Sequence, residues 1–362
     1  MDFILIYIRY SWAFQLMVWL AFPFHAGAST KRALFLGNSY TYVNDLPRMI
    51  ADAAATAGDT LFIDSNTPGG QSLSGHLADP ISVNKIKAGG FDFVVLQEQS
   101  MRPSEPDDWI EADFLVYAHR LDSIINVYNP CGETMFYMTW GYRDGNPQYC
   151  DAYPWWPYAC TYEVMDSLTN LRYRMAADSN QAVLSPVGAV WHYIRDHFPS
   201  IELYESDGSH PSLAGSYAAA CCFYSAIFRK SPYAISYTAS LDASSVSAIK
   251  QAAKAVVYDS LLKWHIGEYD SQLADTCAGY AGDSKLRIFP NPANGGITIL
   301  LPDGLTNAEL SMYNSTGSIV RKFENVTGAY LRIPVDKVSC GIYFLRLSNE
   351  GKTFATGKAI VP

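Results

Sequence analysis

Ser39, Asp207 and His210 are the residues of this chain whose types and order could perform nucleophilic catalysis. Ser39 lies in the segment FLGNSYT, and Asp207 lies three residues before His210 in ESDGSHPSLAG. A serine hydroxyl is a poor nucleophile until an imidazole takes its proton, and the imidazole needs a carboxylate that orients it and stabilises its charge. Asp207 and His210 could supply both groups from one loop, while the serine arrives from elsewhere in the fold.

Ser39 lies between a short strand and a helix. Ala33 to Leu36 is an apolar run without helical periodicity that ends at Gly37-Asn38, which predicts a buried strand stopping at a turn. Asp45 before Leu46-Pro47 is typical of a helix start. A serine just past the end of such a strand lies where parallel α/β sheets bind their ligands. Further along, short apolar strands alternate with helices through residues 31–265, as a parallel sheet covered on both faces requires.

Three blocks of the sequence resemble those of the SGNH (GDSL-like) hydrolase superfamily. They are GNSYT around Ser39, TPGGQS at Thr67 to Ser72, and DGSHPS at Asp207 to Ser212. The resemblance spans roughly residues 31–230. It implies a three-layer α/β/α, flavodoxin-like domain with a parallel sheet.

The resemblance also implies roles for individual residues. Ser39 would be the nucleophile, His210 the base and Asp207 its orienting acid, and the amides of Ser39 and Gly70 would lie in the oxyanion hole. The sequence departs from the family pattern at Asn38, where many members carry Asp, and the usual Gly-x-Asn-Asp block is missing.

Two glutamines stand where that block is missing, at the end of the apolar segment FDFVVLQEQS, residues 91–100. An oxyanion hole needs preorganised N–H donors, and a Gln amide can supply one. Strand alternation places Gln97 and Gln99 on the same side and Glu98 opposite. We prefer Gln97 as the third donor, with Gln99 as the alternative. A competing interpretation is that both amides satisfy buried backbone groups at the strand end.

The segment WGYRDGNPQYCDAYPWWPYACTYEV, residues 140–164, is unusually rich in aromatic residues. It is longer than a plain connection requires, and such insertions in compact folds are usually functional. One hypothesis is that its aromatic faces stack on sugar rings, which makes Trp140, Tyr142, Trp155 and Trp156 candidate substrate-binding residues. The alternative is local packing over the sheet.

The first 28 residues have the layout of a secretory signal. An apolar stretch from Trp12 to Phe24 is followed by Ala26-Gly27-Ala28, an A-x-A cleavage pattern, so we expect a mature chain from about Ser29. An uncleaved membrane anchor is the alternative. Export permits disulfides, and we expect Cys150 and Cys160 to pair and close the aromatic loop.

Composition excludes several classes of partner. The chain has 362 residues, 49% of them apolar, and a formal net charge of -9 without any basic cluster. Nucleic acid is therefore not an expected partner. No C-x-x-C motif is present, and His192 and His197 are five apart and do not share a helix face, so we expect neither a metal site nor a cofactor.

The C-terminal part has a different character. The small polar stretch at 269–284 reads as a linker between a hydrolase domain at 29–268 and a β-rich domain at 285–362. Alternating apolar runs between turns predict a small antiparallel β-sandwich. The segments RIFPNPANGGITI, MYNSTGSIV and GIYFLRLSNEGKTFATGKAIVP resemble the C-terminal sorting domain of the type IX secretion pathway of Bacteroidota. The alternative is an ordinary accessory β-domain that binds glycans.

These observations lead to two hypotheses of different classes. The first is a secreted or cell-surface serine esterase that works through an acyl-enzyme and removes acetyl groups from carbohydrate, with the type IX secretion machinery as its export partner. The second is a catalytically inactive carbohydrate-binding or surface-display protein, which the missing Gly-x-Asn-Asp block favours. The sequence makes no prediction of oligomeric state.

Overall fold

A computed structural model describes residues 27–152, 154–155, 160–273, 286–289, 291–293, 295–301, 307–328, 330–349 and 352–362. The expected signal segment and linker therefore lie mostly outside the described residues, as does Trp156. Among the described residues, no helix is both long enough and apolar enough to cross a membrane.

The N-terminal part is built on a five-stranded parallel sheet. Its strands are β1 (Thr30–Leu36), β2 (Thr60–Asn66), β3 (Phe93–Leu96), β4 (Glu133–Tyr137) and β5 (Val183–Ser185). They lie in the order β2-β1-β3-β4-β5, and every neighbouring pair is parallel. The chain moves outward in opposite directions from β1 and β3, so a crevice opens between the carboxyl ends of these two strands. The predicted parallel sheet is confirmed.

Helices cover both faces of this sheet. One group packs around α10, which contacts α2, α9 and α11, and the other comprises α3, α4, α6 and α8. A π-helical turn, Glu111–Leu115, joins α5 to α6. The helices are α1 (Ser39–Tyr42), α2 (Leu46–Thr56), α3 (Leu73–Ala78), α4 (Pro80–Ala88), α5 (Asp107–Ile110), α6 (Val116–Tyr128), α7 (Pro147–Ala152), α8 (Tyr162–Asn180), α9 (Val187–His197), α10 (Leu213–Phe228) and α11 (Ala243–Val256).

The central strands are apolar because helices bury them on both sides. Residues 33–36 of β1 and all of β3 are buried, and these runs contain no alternating polar positions. Strands buried on both faces read as continuous hydrophobic runs for this reason. This burial holds the carboxyl ends of β1 and β3 rigidly side by side. Ser39 follows the end of β1, and Gln97 follows the end of β3.

The C-terminal part is an antiparallel β-structure of two sheets. One sheet has the order β10-β7-β6 and the other β12-β11-β8-β9. Apolar residues from both sheets, including Ile297, Ile299, Leu310 and Leu345, form one core. The strands are β6 (Arg287–Phe289), β7 (Gly296–Leu300), β8 (Ala308–Tyr313), β9 (Ile319–Val326), β10 (Tyr330–Pro334), β11 (Gly341–Asn349) and β12 (Lys352–Val361). The predicted small β-sandwich is confirmed.

Candidate active site

The structure brings Ser39, His210 and Asp207 together. Ser39 begins α1 directly after β1, and its Oγ lies 2.9 Å from His210 Nε2. On the other side of the ring, His210 Nδ1 lies 2.5 Å from Asp207 Oδ2. Asp207 Oδ1 accepts hydrogen bonds of 2.9 Å from the backbone N–H groups of Ser209 and His210. The three side chains therefore form a continuous hydrogen-bonded chain.

The charge of Asp207 determines which way the imidazole is oriented. Partial burial raises the pKa of this carboxyl, but the hydrogen bonds from His210 and from two backbone N–H groups outweigh burial and hold the pKa below its ordinary value. An ionised carboxylate accepts a hydrogen bond from Nδ1–H, which leaves Nε2 free to accept the proton of Ser39. This is the tautomer that general-base catalysis requires.

The turn that presents Ser39 depends on a glycine. A Cβ at Gly37 would lie 2.4 Å from Thr41 Oγ1 and 2.7 Å from Gln97 Oε1, so no larger residue fits. The Gly37 carbonyl accepts a 2.9 Å hydrogen bond from His76 Nε2. Because a carbonyl can only accept, Nε2 carries the proton, and Nδ1 then accepts from Ser82 Oγ at 2.8 Å. Burial lowers the pKa of His76, so this histidine is a neutral support for the turn.

Gln97 lies beneath the serine turn, and this placement corrects our preferred oxyanion assignment. Its Oε1 accepts 2.9 Å hydrogen bonds from the Asn38 backbone N–H and from Thr41 Oγ1, and its Nε2 donates to the carbonyl of Glu98. The side chain is 0% exposed, so a substrate cannot reach it. Gln97 instead satisfies buried polar groups, which is the competing interpretation that the sequence left open.

Asn38 links the serine turn to the loop that contains Gly69 and Gly70, here called the glycine loop. Its Nδ2 donates to the Gln71 carbonyl at 2.8 Å, and its Oδ1 accepts from the Tyr40 backbone N–H at 3.1 Å. Gly70, which precedes Gln71, is exposed and has φ +67°, a conformation that favours glycine. The loop that contains Gly70 is thus bonded, through Gln71, to the residue before Ser39.

Gln99 and Glu98 complete this edge of the site. The Gln99 side chain is half-buried, and its Nε2 makes one long hydrogen bond of 3.4 Å to Ser100 Oγ. Glu98 is buried and accepts hydrogen bonds from the backbone N–H groups of Leu73 and Gln99. Burial raises the pKa of Glu98 to about 8, and the two accepted hydrogen bonds link Leu73, after the glycine loop, to the end of β3. Sequence reasoning missed this role, although an acid at the end of an apolar strand was a signal for it.

Trp140 is not a surface aromatic, which corrects its assignment as a substrate contact. The side chain is 0% exposed. It stacks on Tyr40 at 4.6 Å between ring centroids and on Trp191 at 3.7 Å, and its Nε1 donates to the Ser209 carbonyl at 3.1 Å. Trp140 therefore packs beneath the residues that flank Ser39 and His210.

The other aromatic candidates differ in exposure. Tyr142 is half-buried, and its hydroxyl lies 2.9 Å from Ser100 Oγ. Trp155 is 60% exposed and packs edge-on against Trp109 with 6.0 Å between ring centroids. Trp109 was not anticipated from the sequence, because it lies far from the aromatic segment. Trp156 lies outside the described residues.

The aromatic loop is closed by the disulfide that the sequence predicted. Cys150 and Cys160 are bonded, with 5.4 Å between their Cα atoms. Gly145, at φ +73°, packs against the backbone of Cys160; a Cβ there would lie 2.5 Å from its carbonyl carbon. The bonded loop is therefore attached closely to the segment that follows β4.

Comparison with solved structures supports the fold. A DUF4886 family protein from Bacteroides uniformis is 19% identical and superposes with a TM-score of 0.54, over 64% of this chain and 95% of that one. A protein assigned as an SGNH hydrolase from Slackia heliotrinireducens is 26% identical, with a TM-score of 0.45 over 54% and 97% of the two chains. An acetyl xylan esterase from Geobacillus stearothermophilus is 15% identical, with a TM-score of 0.35 over 56% and 95%. The first match shows a shared fold, which by itself does not determine chemistry.

The C-terminal part matches a known family. Residues 287–362 match the secretion system C-terminal sorting domain. This domain indicates export through type IX secretion, to the cell surface or into the medium. No curated protein matches the chain.

Proposed function

We propose that the protein is a secreted serine esterase, with its catalytic residues in the 29–268 domain. The observation that carries this proposal is the chain of contacts from Ser39 Oγ through the His210 ring to the Asp207 carboxylate. A nucleophile, a base and an orienting acid in this arrangement perform acyl transfer on several unrelated folds.

The reaction would proceed in two steps. His210 Nε2 removes the proton of Ser39 as Oγ attacks the ester carbonyl, and the protonated ring then donates that proton to the departing alcohol. Water hydrolyses the acyl-enzyme in the second step, with His210 acting again as base. The backbone N–H groups of Ser39 and Gly70 would stabilise the oxyanion. Gln99, whose amide has an N–H to offer, is the better candidate for a third donor because Gln97 is buried and engaged.

Carbohydrate esters are the substrate class that we propose, with acetyl as the acyl group. Two observations support this. The sorting domain places the protein outside the cell, where polysaccharides are available. The exposed face of Trp155, which lies on the disulfide-bonded loop and packs against Trp109, offers the kind of aromatic surface on which sugar rings stack.

A comparison of wild type with Ser39→Ala tests this proposal. We expect wild type to release acetate from a panel of acetylated oligosaccharides and to form a covalent adduct with a fluorophosphonate probe. Ser39→Ala should lose the adduct and at least about a thousandfold in hydrolysis. If the folded wild type takes no adduct and releases no acetate, the protein is a binding or display protein and the esterase proposal is wrong.

A further inference from the structure

Tyr40 connects the segment of the nucleophile to the segment of the base. It follows Ser39 in the chain, and its hydroxyl makes a 2.7 Å hydrogen bond with the hydroxyl of Ser209, which immediately precedes His210. The Tyr40 ring also contacts the His210 ring edge-on, with 5.6 Å between centroids. One side chain thus touches both segments that must meet for proton transfer.

Aromatic packing holds Tyr40 in place. Its ring is nearly parallel to Trp140, at an interplanar angle of 9°, and Trp140 is nearly parallel to Trp191, at 10°. Trp140 also donates to the carbonyl of Ser209. Stacked aromatic rings have few rotamers available, so the Tyr40 hydroxyl is presented to Ser209 at little entropic cost.

The loop that carries His210 needs such support. It is not part of a regular strand: an isolated bridge joins Tyr204 to Pro211, and Gly208 has φ +69°. Asn44 makes a second connection, because its Nδ2 donates to the Pro211 carbonyl and to Ser216 Oγ. The two segments would therefore remain together without the Tyr40 hydroxyl, although their alignment at Ser39 would be less exact.

We propose that the hydrogen bond between Tyr40 and Ser209, here called the clasp, is a positioning device that sets the alignment of Ser39 Oγ with His210 Nε2. The inference rests on the proposed esterase function, since it concerns the same serine and histidine. Tyr40 and Ser209 are positioning residues, and neither needs to touch the substrate. Small misalignments of reacting groups reduce rates strongly, so losing the clasp should slow acylation without weakening binding.

Tyr40→Phe and Ser209→Ala each remove one hydroxyl of the clasp and keep the rest of the side-chain packing. We expect each to slow the first-order step of fluorophosphonate labelling about tenfold, the effect of one lost hydrogen bond, with the probe concentration at half-maximal rate unchanged. The Tyr40 hydroxyl also interacts with Ser100, so the double variant should be no slower than Tyr40→Phe alone, in which the clasp is already absent. Ser209→Thr, which retains a hydroxyl, should restore most of the rate.

Tyr224→Phe is the matched control. It removes a buried tyrosine hydroxyl that donates to Asp59 Oδ2 at 3.1 Å, away from the site, and should leave labelling unchanged. The thermal midpoint of each variant shows whether a slower labelling rate comes from lost positioning or from lost stability of the folded state. Additive effects in the double variant, or single variants that label at the wild-type rate, would overturn the clasp. A wild type that does not label would instead overturn the esterase function.

Discussion

In the described residues three histidines contact an aspartate, namely His192, His210 and His265. Of the pairs Asp207–His210 and Asp166–His192, only the first is next to the hydroxyl of Ser39. Asp207 and His210 are partly exposed, and the second ring nitrogen of His210 lies 2.9 Å from Ser39 Oγ. Asp166 and His192 form a similar contact of 3.0 Å, through the same ring nitrogen Nδ1. A histidine that is oriented by a carboxylate is therefore not sufficient for catalysis.

The second pair differs in what surrounds it. Asp166 has a side chain only 8% exposed, and its other oxygen accepts from the Gly141 backbone N–H at 3.1 Å. His192 Nε2 lies 3.4 Å from Asp196 Oδ2, where His210 has a hydroxyl. The hydrogen bond that His192 makes to the Asp166 carboxylate, with further attraction from Asp196, raises the pKa of His192 above its ordinary value. A ring between two acids binds its proton more tightly, so it is less available to accept another group's proton.

Removing each imidazole should give the largest difference between the two pairs. His210→Ala should lower kcat/KM on an aryl acetate by about ten thousandfold, because Ser39 loses its base. His192→Ala should stay within about twofold of wild type and lose only stability. Comparable losses in both variants would mean that His192 participates in the chemistry and that the distinction is wrong.

Neutralising each carboxylate should give a smaller contrast. Asp207→Asn should cost about a hundredfold or more in kcat/KM, because Nδ1 no longer has an anionic partner that fixes the tautomer. Asp166→Asn keeps an oxygen for the Gly141 N–H but removes a buried charge, so it should change the thermal midpoint more than the activity. Steady-state kinetics and thermal unfolding of both variants, side by side, check this. Equal activity of Asp207→Asn and wild type would contradict it.

The smallest effect should be a pH dependence of stability at the second pair. A histidine whose pKa is raised on folding binds its proton more tightly in the folded state, so its contribution is fully present below the unfolded value of 6.5. That contribution is lost as pH rises through the raised folded pKa. The difference in thermal midpoint between wild type and His192→Gln should therefore be greatest in acid and should shrink toward pH 9. A thermal-midpoint difference that grows with pH would mean that folding lowers the pKa of His192, and this would contradict a charged Asp166–His192 pair.

The parts of the site that the sequence could predict are those encoded locally. The apolar run before Gly37 predicted the strand that presents Ser39, and the Asp207-x-x-His210 spacing placed a carboxylate and an imidazole within reach on one loop. The bond between Cys150 and Cys160 followed from their separation and from the expected export. Each depends on neighbours in sequence, so no knowledge of distant packing was needed.

The two wrong assignments, Gln97 as an oxyanion donor and Trp140 as a substrate contact, both concern the burial of a side chain. β3 ends at Leu96, so strand alternation does not extend to Gln97 and Gln99. It also could not tell that the serine turn would cover Gln97 and satisfy its amide oxygen. Trp140 stood among surface aromatics in the sequence, yet Tyr40 and Trp191, far away in the chain, enclose it. Both errors arise because the exposure of a side chain depends on residues that are remote in sequence.

The sequence by itself determined the alternation of strands and helices, the order of serine, aspartate and histidine, and an export domain at residues 285–362, because periodicity and local motifs are properties of neighbouring residues. Only the tertiary structure decided which side chains around the serine are buried and which remain accessible. Burial depends on contacts between segments remote in sequence: the turn after β1 covers Gln97, and Tyr40 and Trp191 enclose Trp140.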